Sequence, residues 1–250
     1  MMTGGSSNST CTPNPSSSSS TFERFLQGWH HRQERLLAEM TAAVDGKSCS
    51  SDGGGGEEVE KELVARALGH FEEFYEYKSR AAHQNVFGFF GPTWSSTLEC
   101  AFLWVTGFRP ALLFQLVFDS VPDLSPEQTR GLNRLKRETK TEEKAVLDEL
   151  AKIQESIAAP PHLEMMREAG RQLEDEHYSS TLDESMGWLR MTLEEVVTNA
   201  DSLRVSTAAR VVEVLTPHQC LIFLKSALRF EQNIRSLGMQ RDNLYHRNRG

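Results

Sequence analysis

Apolar side chains along this 250-residue chain recur three and four positions apart, the spacing of a helix face, and seldom alternate as they would in a half-buried strand. Phe22, Phe25, Leu26, Trp29, Leu36, Leu37 and Met40 predict one helix from Phe22 to about Ala43. Leu63, Ala67, Leu68, Phe71, Phe74, Tyr75, Lys78 and Ala82 predict a second from about Glu57 to Val86. Ser96 and Glu99 stand at capping-box spacing and predict a third helix that runs to Gly107. Pro110 then opens a short apolar one over Ala111 to Phe118. Ser125-Pro126-Glu127-Gln128 and Thr216-Pro217-His218-Gln219 each supply a capping hydroxyl, a proline with preset φ and a glutamine that reaches back to the cap. They start a charged helix from Pro126 to about Ala158 and a final one from Pro217 to about Gly238. Leu182 to Leu215 fills the interval between them. The expected fold class is all-α, a bundle of long amphipathic helices.

Breaks in the pattern divide the chain. Residues 1–20 are rich in Ser, Thr, Asn, Pro and Gly and read as a disordered leader. Residues 45–56, ending in four glycines, read as a flexible linker inside a helical domain of residues 21–241. Ala159-Pro160-Pro161 and Glu176 to Ser180 are further breaks, and residues 242–250 form a basic tail.

Composition narrows the function. A net charge of −8 argues against whole-protein attraction to nucleic acid or anionic membranes. From Arg235 to Gly250 four arginines face one acid, which suits a solvated tail or a contact with phosphate or anionic lipid. No apolar run is long enough to span a bilayer and no secretory signal opens the chain, so secretion is not expected. The four cysteines are scattered, which is neither a disulfide framework nor a zinc pattern.

Candidate chemistry is sparse. Gly46-Lys47-Ser48 resembles the end of a phosphate-binding loop, but Thr41 stands where its first glycine belongs. Glu174 and His177 have di-iron spacing without a second copy. Cys100 and Cys220 lie in apolar stretches and read as buried, inert thiols. Trp94, Phe102, Trp104 and Phe108 read as core, with a lipid or effector pocket between helices as the alternative. His31 reads as a surface residue, and His218, second in its helix, as an exposed helix-start residue. No catalytic constellation is found, so an enzyme is not expected.

Trp94-Ser-Ser-Thr-Leu-Glu99-Cys-Ala-Phe-Leu-Trp104-Val-Thr-Gly107-Phe-Arg109-Pro110 resembles the signature of the plant Delay of Germination (DOG) domain, which also occurs in TGA-type bZIP transcription factors. Phe22 to Leu37, His70 to Ala82, Leu124 to Gln128 and Ala200 to Gln219 resemble further blocks of that family in order, so the likeness spans about Phe22 to Arg241. Two departures are Thr106, where members often carry a second glycine, and Cys100, where they often carry arginine. The resemblance implies a non-catalytic regulator of transcription, seed dormancy or abscisic acid signalling that acts by protein–protein interaction. Type 2C protein phosphatases, transcription factors and a second copy of the chain are the implied partners. Trp94, Glu99, Trp104, Gly107, Arg109 and Pro110 are the signature residues, with a structural role expected. Because no bZIP segment is present, this chain alone is not expected to bind DNA. A nuclear or cytoplasmic location is implied. The alternatives are a peripheral plasma-membrane factor of the pollen-aperture type and a haem- or lipid-sensing module. No cofactor is required, and haem, associated with some members, has His218 and His246 as its C-terminal candidate ligands.

Overall fold

The computed structural model describes residues 15–46, 55–160, 163–164, 167 and 176–247. Its bounded helices are α1 (Pro15–Gly46), α2 (Gly55–Gln84), α3 (Phe87–Phe90), α4 (Thr97–Ala101), α5 (Leu112–Ser120), α6 (Pro126–Ala158), α7 (Glu176–Val214) and α8 (Pro217–Arg247). No strand occurs among the described residues, and the all-α expectation holds. Helices α1, α2 and α8 pack on one another, α4 and α5 lie against α8, and α6 pairs with α7.

Several boundaries differ from the sequence reading, each for a physical reason. Helix α1 begins at Pro15, inside the segment expected to be disordered. Proline is well placed at a first helical position because its missing N–H would have no partner there. The linker is shorter than expected: Asp45 and Gly46 close α1, while Gly55 and Gly56 open α2 just ahead of Glu57 and Glu58, whose charge suits a helix N-terminus. Residues 1–14 and 47–54 lie outside the described residues, and Lys47 and Ser48 of the phosphate-loop fragment with them. Glu176 to Ser180 are helical, not a break; Glu174 and the His177 side chain lie outside the described residues.

The final helix does not stop at Gly238 but continues to Arg247, taking in most of the expected tail. Gly238 is a point of close approach, not a terminator. A Cβ there would lie 2.0 Å from Ser96 Oγ. Beyond it, the Thr97 backbone N–H donates to Asp242 Oδ2 at 2.9 Å, which ties the last turns of α8 to the start of α4.

Both proline-led caps form as read. Ser125 and Gln128 complete a capping box. The Gln219 N–H donates to Thr216 Oγ1 at 3.3 Å while the Thr216 N–H donates to Gln219 Oε1 at 3.0 Å. The two boxes also meet, because Gln128 Nε2 donates to Gln219 Oε1 at 2.7 Å and joins the starts of α6 and α8.

Two cores result. One gathers Met40, Ala67, Phe114, Val117, Leu132, Val211, Leu221 and Leu228, all wholly buried. The other gathers Phe22, Val86, Phe89, Trp104, Val146, Val196, Val197 and Ala200. Burying each large apolar side chain contributes about 1.5–3 kcal/mol, so either core far outweighs any single surface ion pair.

Candidate functional site

The signature segment lies between the two cores, and most of it is not helix. Ser96 and Glu99 form the expected capping box, but α4 ends at Ala101, well short of Gly107. Trp104 and Gly107 instead bridge across a tight turn, with the Trp104 N–H donating to the Gly107 carbonyl at 2.6 Å. Its two central residues, Val105 (φ 42°) and Thr106 (φ 62°), are left-handed. That conformation is costly for branched side chains and free for glycine. It gives a physical reason for the glycine that the family resemblance leads one to expect at position 106.

Arg204 of α7 holds this turn. Its Nε donates to the Phe108 carbonyl and its Nη2 to the Val105 carbonyl, both at 2.7 Å; Nη2 also reaches the Trp104 carbonyl, and Nη1 reaches Asp201. Gly107 is required by that contact, since a Cβ would stand 2.9 Å from Arg204 Cζ. Lys78 of α2, 2% exposed, donates to the same Asp201 at 2.8 Å. Burial away from water pulls the Lys78 ammonium down to about 8, and the Asp201 carboxylate opposes that shift. Arg109 Nε donates to Glu143 Oε2 at 2.7 Å, and the Ala111 N–H donates to Glu143 Oε1 at 2.7 Å, so the fully buried Glu143 carboxylate pins the segment to α6. Arg235 Nη1 donates to Glu99 at 3.0 Å and to the Trp94 carbonyl at 3.4 Å.

These elements enclose a cavity of about 340 Å³ between α1, α2, α5, α7, α8 and the signature segment. Its wall is mainly aromatic and aliphatic: Phe22 and Trp29 of α1, Phe71 and Phe74 of α2, Phe108, and Phe223 and Phe230 of α8. Trp94, Glu99, Gly107, Arg109 and Pro110 all line it, so the structure brings most of the signature residues to one space. His30 and Glu231 stand on the wall too. Gln33 Nε2 donates to Glu231 Oε2 at 2.9 Å, and burial pushes the Glu231 carboxyl up to about 7. His30 is lowered by burial and by the Arg235 charge.

The remaining site expectations fare unevenly. Of the four aromatics read as core, Trp104 is buried, Trp94 and Phe108 are half-buried, and Phe102 is exposed. Phe102, the residue that closes α4, lies at the edge, its ring against Phe108 and Phe230 and its outer side open to solvent. Cys220 is buried, whereas Cys100, within α4, is exposed. His31 is a surface residue as read. His218 does sit at its helix start, where Nδ1 lies 2.5 Å from Glu60, itself 3% exposed. It does not line the cavity, and the His246 side chain lies outside the described residues. The charged Glu60 partner makes the His218 surroundings a poor fit for haem. No cluster of metal-ligating side chains occurs among the described residues, and no described helix is long and apolar enough to cross a membrane.

Sequence reasoning missed Arg204, Asp201, Glu143, Gln33 and Glu231 as cavity or clamp residues. The available signal was Lys78, a charge on an otherwise apolar stripe, which marks a position that needs a buried partner.

Fold and cavity together define an all-α module with an apolar space between its helices. Comparison with known proteins makes the class specific. Residues 36–119 match the family described as seed dormancy control (DOG1). The chain is 32% identical over 89% of its length to Protein ZW2 of Arabidopsis thaliana, covering 98% of that protein. It is 33% identical over 92% of its length to Protein RESPONSE TO ABA AND SALT 1 of the same plant, covering 99%. Transcription factor TGA5, also of Arabidopsis thaliana, is 26% identical over 86% of this chain, which spans 63% of it. The chain belongs to the seed dormancy control (DOG1) family.

Proposed function

We propose that this chain is a non-catalytic plant regulatory protein that works by protein–protein contact in abscisic acid or dormancy signalling, in the nucleus or cytoplasm. Near end-to-end likeness to a relative named for its response to abscisic acid and salt supports the signalling context. One structural observation carries the mode of action. On the last turns of α8, Leu237, Leu244 and Tyr245 are 54%, 58% and 55% exposed. Leu237 and Leu244 are seven residues apart and Tyr245 one further, so all three fall on one helix face. This exposed apolar face supports reading the end of α8 as the contact surface. A type 2C protein phosphatase, a transcription factor or a second copy of the chain is the partner this reading names. The test is co-purification with a type 2C phosphatase and a TGA-type factor, alongside light scattering of the chain alone. Capture that is lost in Leu237→Glu/Leu244→Glu supports the reading. Capture of neither protein, together with a monomer in solution, sinks it. Flotation with anionic liposomes, lost when Arg241 and Arg247 are replaced, would favour the peripheral-membrane alternative instead.

A second reading rests on the cavity. Its volume of about 340 Å³ lies in the range of small-molecule sites, and its wall suits an apolar guest. The chain would then be a ligand-responsive module, with haem or a fatty acyl chain as the candidate guests. Mass spectrometry of an organic extract and an absorption spectrum of the purified chain test it. Lipid-free, colourless protein that takes up neither guest would remove it.

A further inference from the structure

Helix α6 turns one side to the protein and the opposite side, which is basic, to solvent. Its buried side carries Leu132, Leu135, Thr139, Glu143, Val146 and Ile153. On the other side Arg130, Arg134, Arg137, Lys140 and Lys144 are all exposed. Helix geometry places these five within an arc of about 120° and along about 21 Å of the axis. No acidic residue of α6 falls within that arc between Arg130 and Lys144.

The arrangement is repulsive in the free chain. Arg130 and Arg134 are four residues apart, as are Lys140 and Lys144, while Arg134, Arg137 and Lys140 follow at three, so every cation has a like neighbour on the helix surface. The carboxylates of α6 do little to offset this. Glu138 and Glu142 lie on the flank towards α7, where Arg210 meets both, and Glu138 is also reached by Arg134 at 3.8 Å. The side chains of Arg130, Arg137, Lys140 and Lys144 make no ion pair or hydrogen bond among the described residues. Yet the chain has 35 acidic residues against 27 basic ones, and Arg32, Lys61 and Arg66 on other helices each hold a carboxylate. A cationic face left unpaired in so acidic a chain is complementary to an anion from outside it.

The ends of the stripe set the kind of anion. Asp148 and Glu155 continue the same face beyond Lys144, and Glu127 stands one turn before Arg130. A nucleic-acid duplex, with a charge every ~1.7 Å, or an anionic bilayer would extend over those acids and meet the repulsion of a chain with net charge −8. An acidic peptide segment can end where the cations end. We propose that the exposed face of α6 from Arg130 to Lys144 docks an Asp- and Glu-rich segment of a partner protein. This adds a second surface to the protein-contact reading and uses none of the α8 residues, so either contact can fail alone.

The experiment titrates the full chain, by fluorescence anisotropy, with a labelled peptide of about 15 residues that alternates pairs of glutamate and alanine, long enough to follow the stripe. The control peptide carries glutamine in place of glutamate. The glutamate peptide should bind about tenfold more tightly at low ionic strength and lose that advantage at about 1 M salt. Arg130→Glu/Arg137→Glu/Lys144→Glu should abolish the advantage. Arg24→Glu/Arg35→Glu/Arg80→Glu, an equal change of charge at exposed positions of α1 and α2, should retain it. Arg130→Lys/Arg134→Lys/Arg137→Lys should stay within about twofold of the parent, because the face supplies charge and not guanidinium geometry. Leu237→Glu/Leu244→Glu should leave peptide binding unchanged, which separates this contact from the one on α8. The thermal transition of each variant reports that it is folded. Equal binding of the two peptides, or equal loss in the two triple glutamate variants, overturns the proposal. Duplex DNA or phosphatidylserine vesicles that bind more tightly than the glutamate peptide, and are lost in the α6 variant, overturn the class of partner. A dimer of the parent chain that the α6 variant splits makes a second copy the occupant and overturns it as well.

Discussion

The two cores of this molecule are held by different physics. The one around Phe114, Leu132, Leu221 and Leu228 is sealed by aliphatic and aromatic packing, with the joined capping boxes of α6 and α8 at its edge. The one around Phe89, Trp104 and Val196 is crossed by charge: Lys78, Asp201 and Arg204 run through it, and Glu143 meets Arg109 at its border. The first tolerates loss of a contact in proportion to the area lost. The second depends on mutual neutralisation, where removing one member strands the others. The signature turn is fixed at the second because buried charge can hold non-helical backbone in place.

The sharpest way to break this contrast is Arg204→Ala. It leaves Asp201 short of a partner and the Val105 and Phe108 carbonyls without a donor, so a loss of about 3–5 kcal/mol in a denaturant titration is expected, or failure to fold. A loss no greater than that of the exposed Arg130→Ala would erase the distinction. Leu221→Ala in the packed core should cost about 2–5 kcal/mol, with the Trp104–Gly107 turn unmoved by nuclear magnetic resonance shifts.

Proton linkage separates the regions next. The Glu231 carboxyl rises from 4.5 to about 7 on folding, so the folded state holds a proton that the unfolded chain has released. Stability from this group is complete below about 4.5 and is lost as pH climbs to about 7, by about 3 kcal/mol. Glu231→Gln should remove that decline. His70, stacked on Trp29 at 4.3 Å and pulled down to about 4 by burial, works in the opposite sense as pH falls below 6.5. The difference between variant and parent is therefore the quantity to read. Smaller effects finish the series. Ser125→Ala should cost about 1 kcal/mol through its lost cap. Thr106→Gly should gain about 1 kcal/mol by relieving the left-handed backbone, seen as a higher midpoint.

How much of this was legible beforehand follows from the range of each interaction. Helix starts at Pro126 and Pro217 were readable to the residue because a cap involves four consecutive positions. The all-α class and the long helices followed from spacing over a few turns. Helix ends were read less well wherever a distant partner set them. Gly238 stands inside a helix because Ser96 packs where a side chain would be, and α4 gives way to a turn that Arg204 holds. Likewise, the signature residues could be named in a row, yet their common purpose as a wall and its clamp was not visible in that row.

Local order along the chain thus settled which segments are helical and where the strongest caps lie, since backbone sterics and short-range hydrogen bonds are complete within a few residues. Folding in three dimensions decided which charges are buried, which aromatic rings face outward and that an internal space survives. Arg204 meets Trp104 from 100 positions away and Gln33 meets Glu231 from 198, and contacts of that span exist only once the helices have packed.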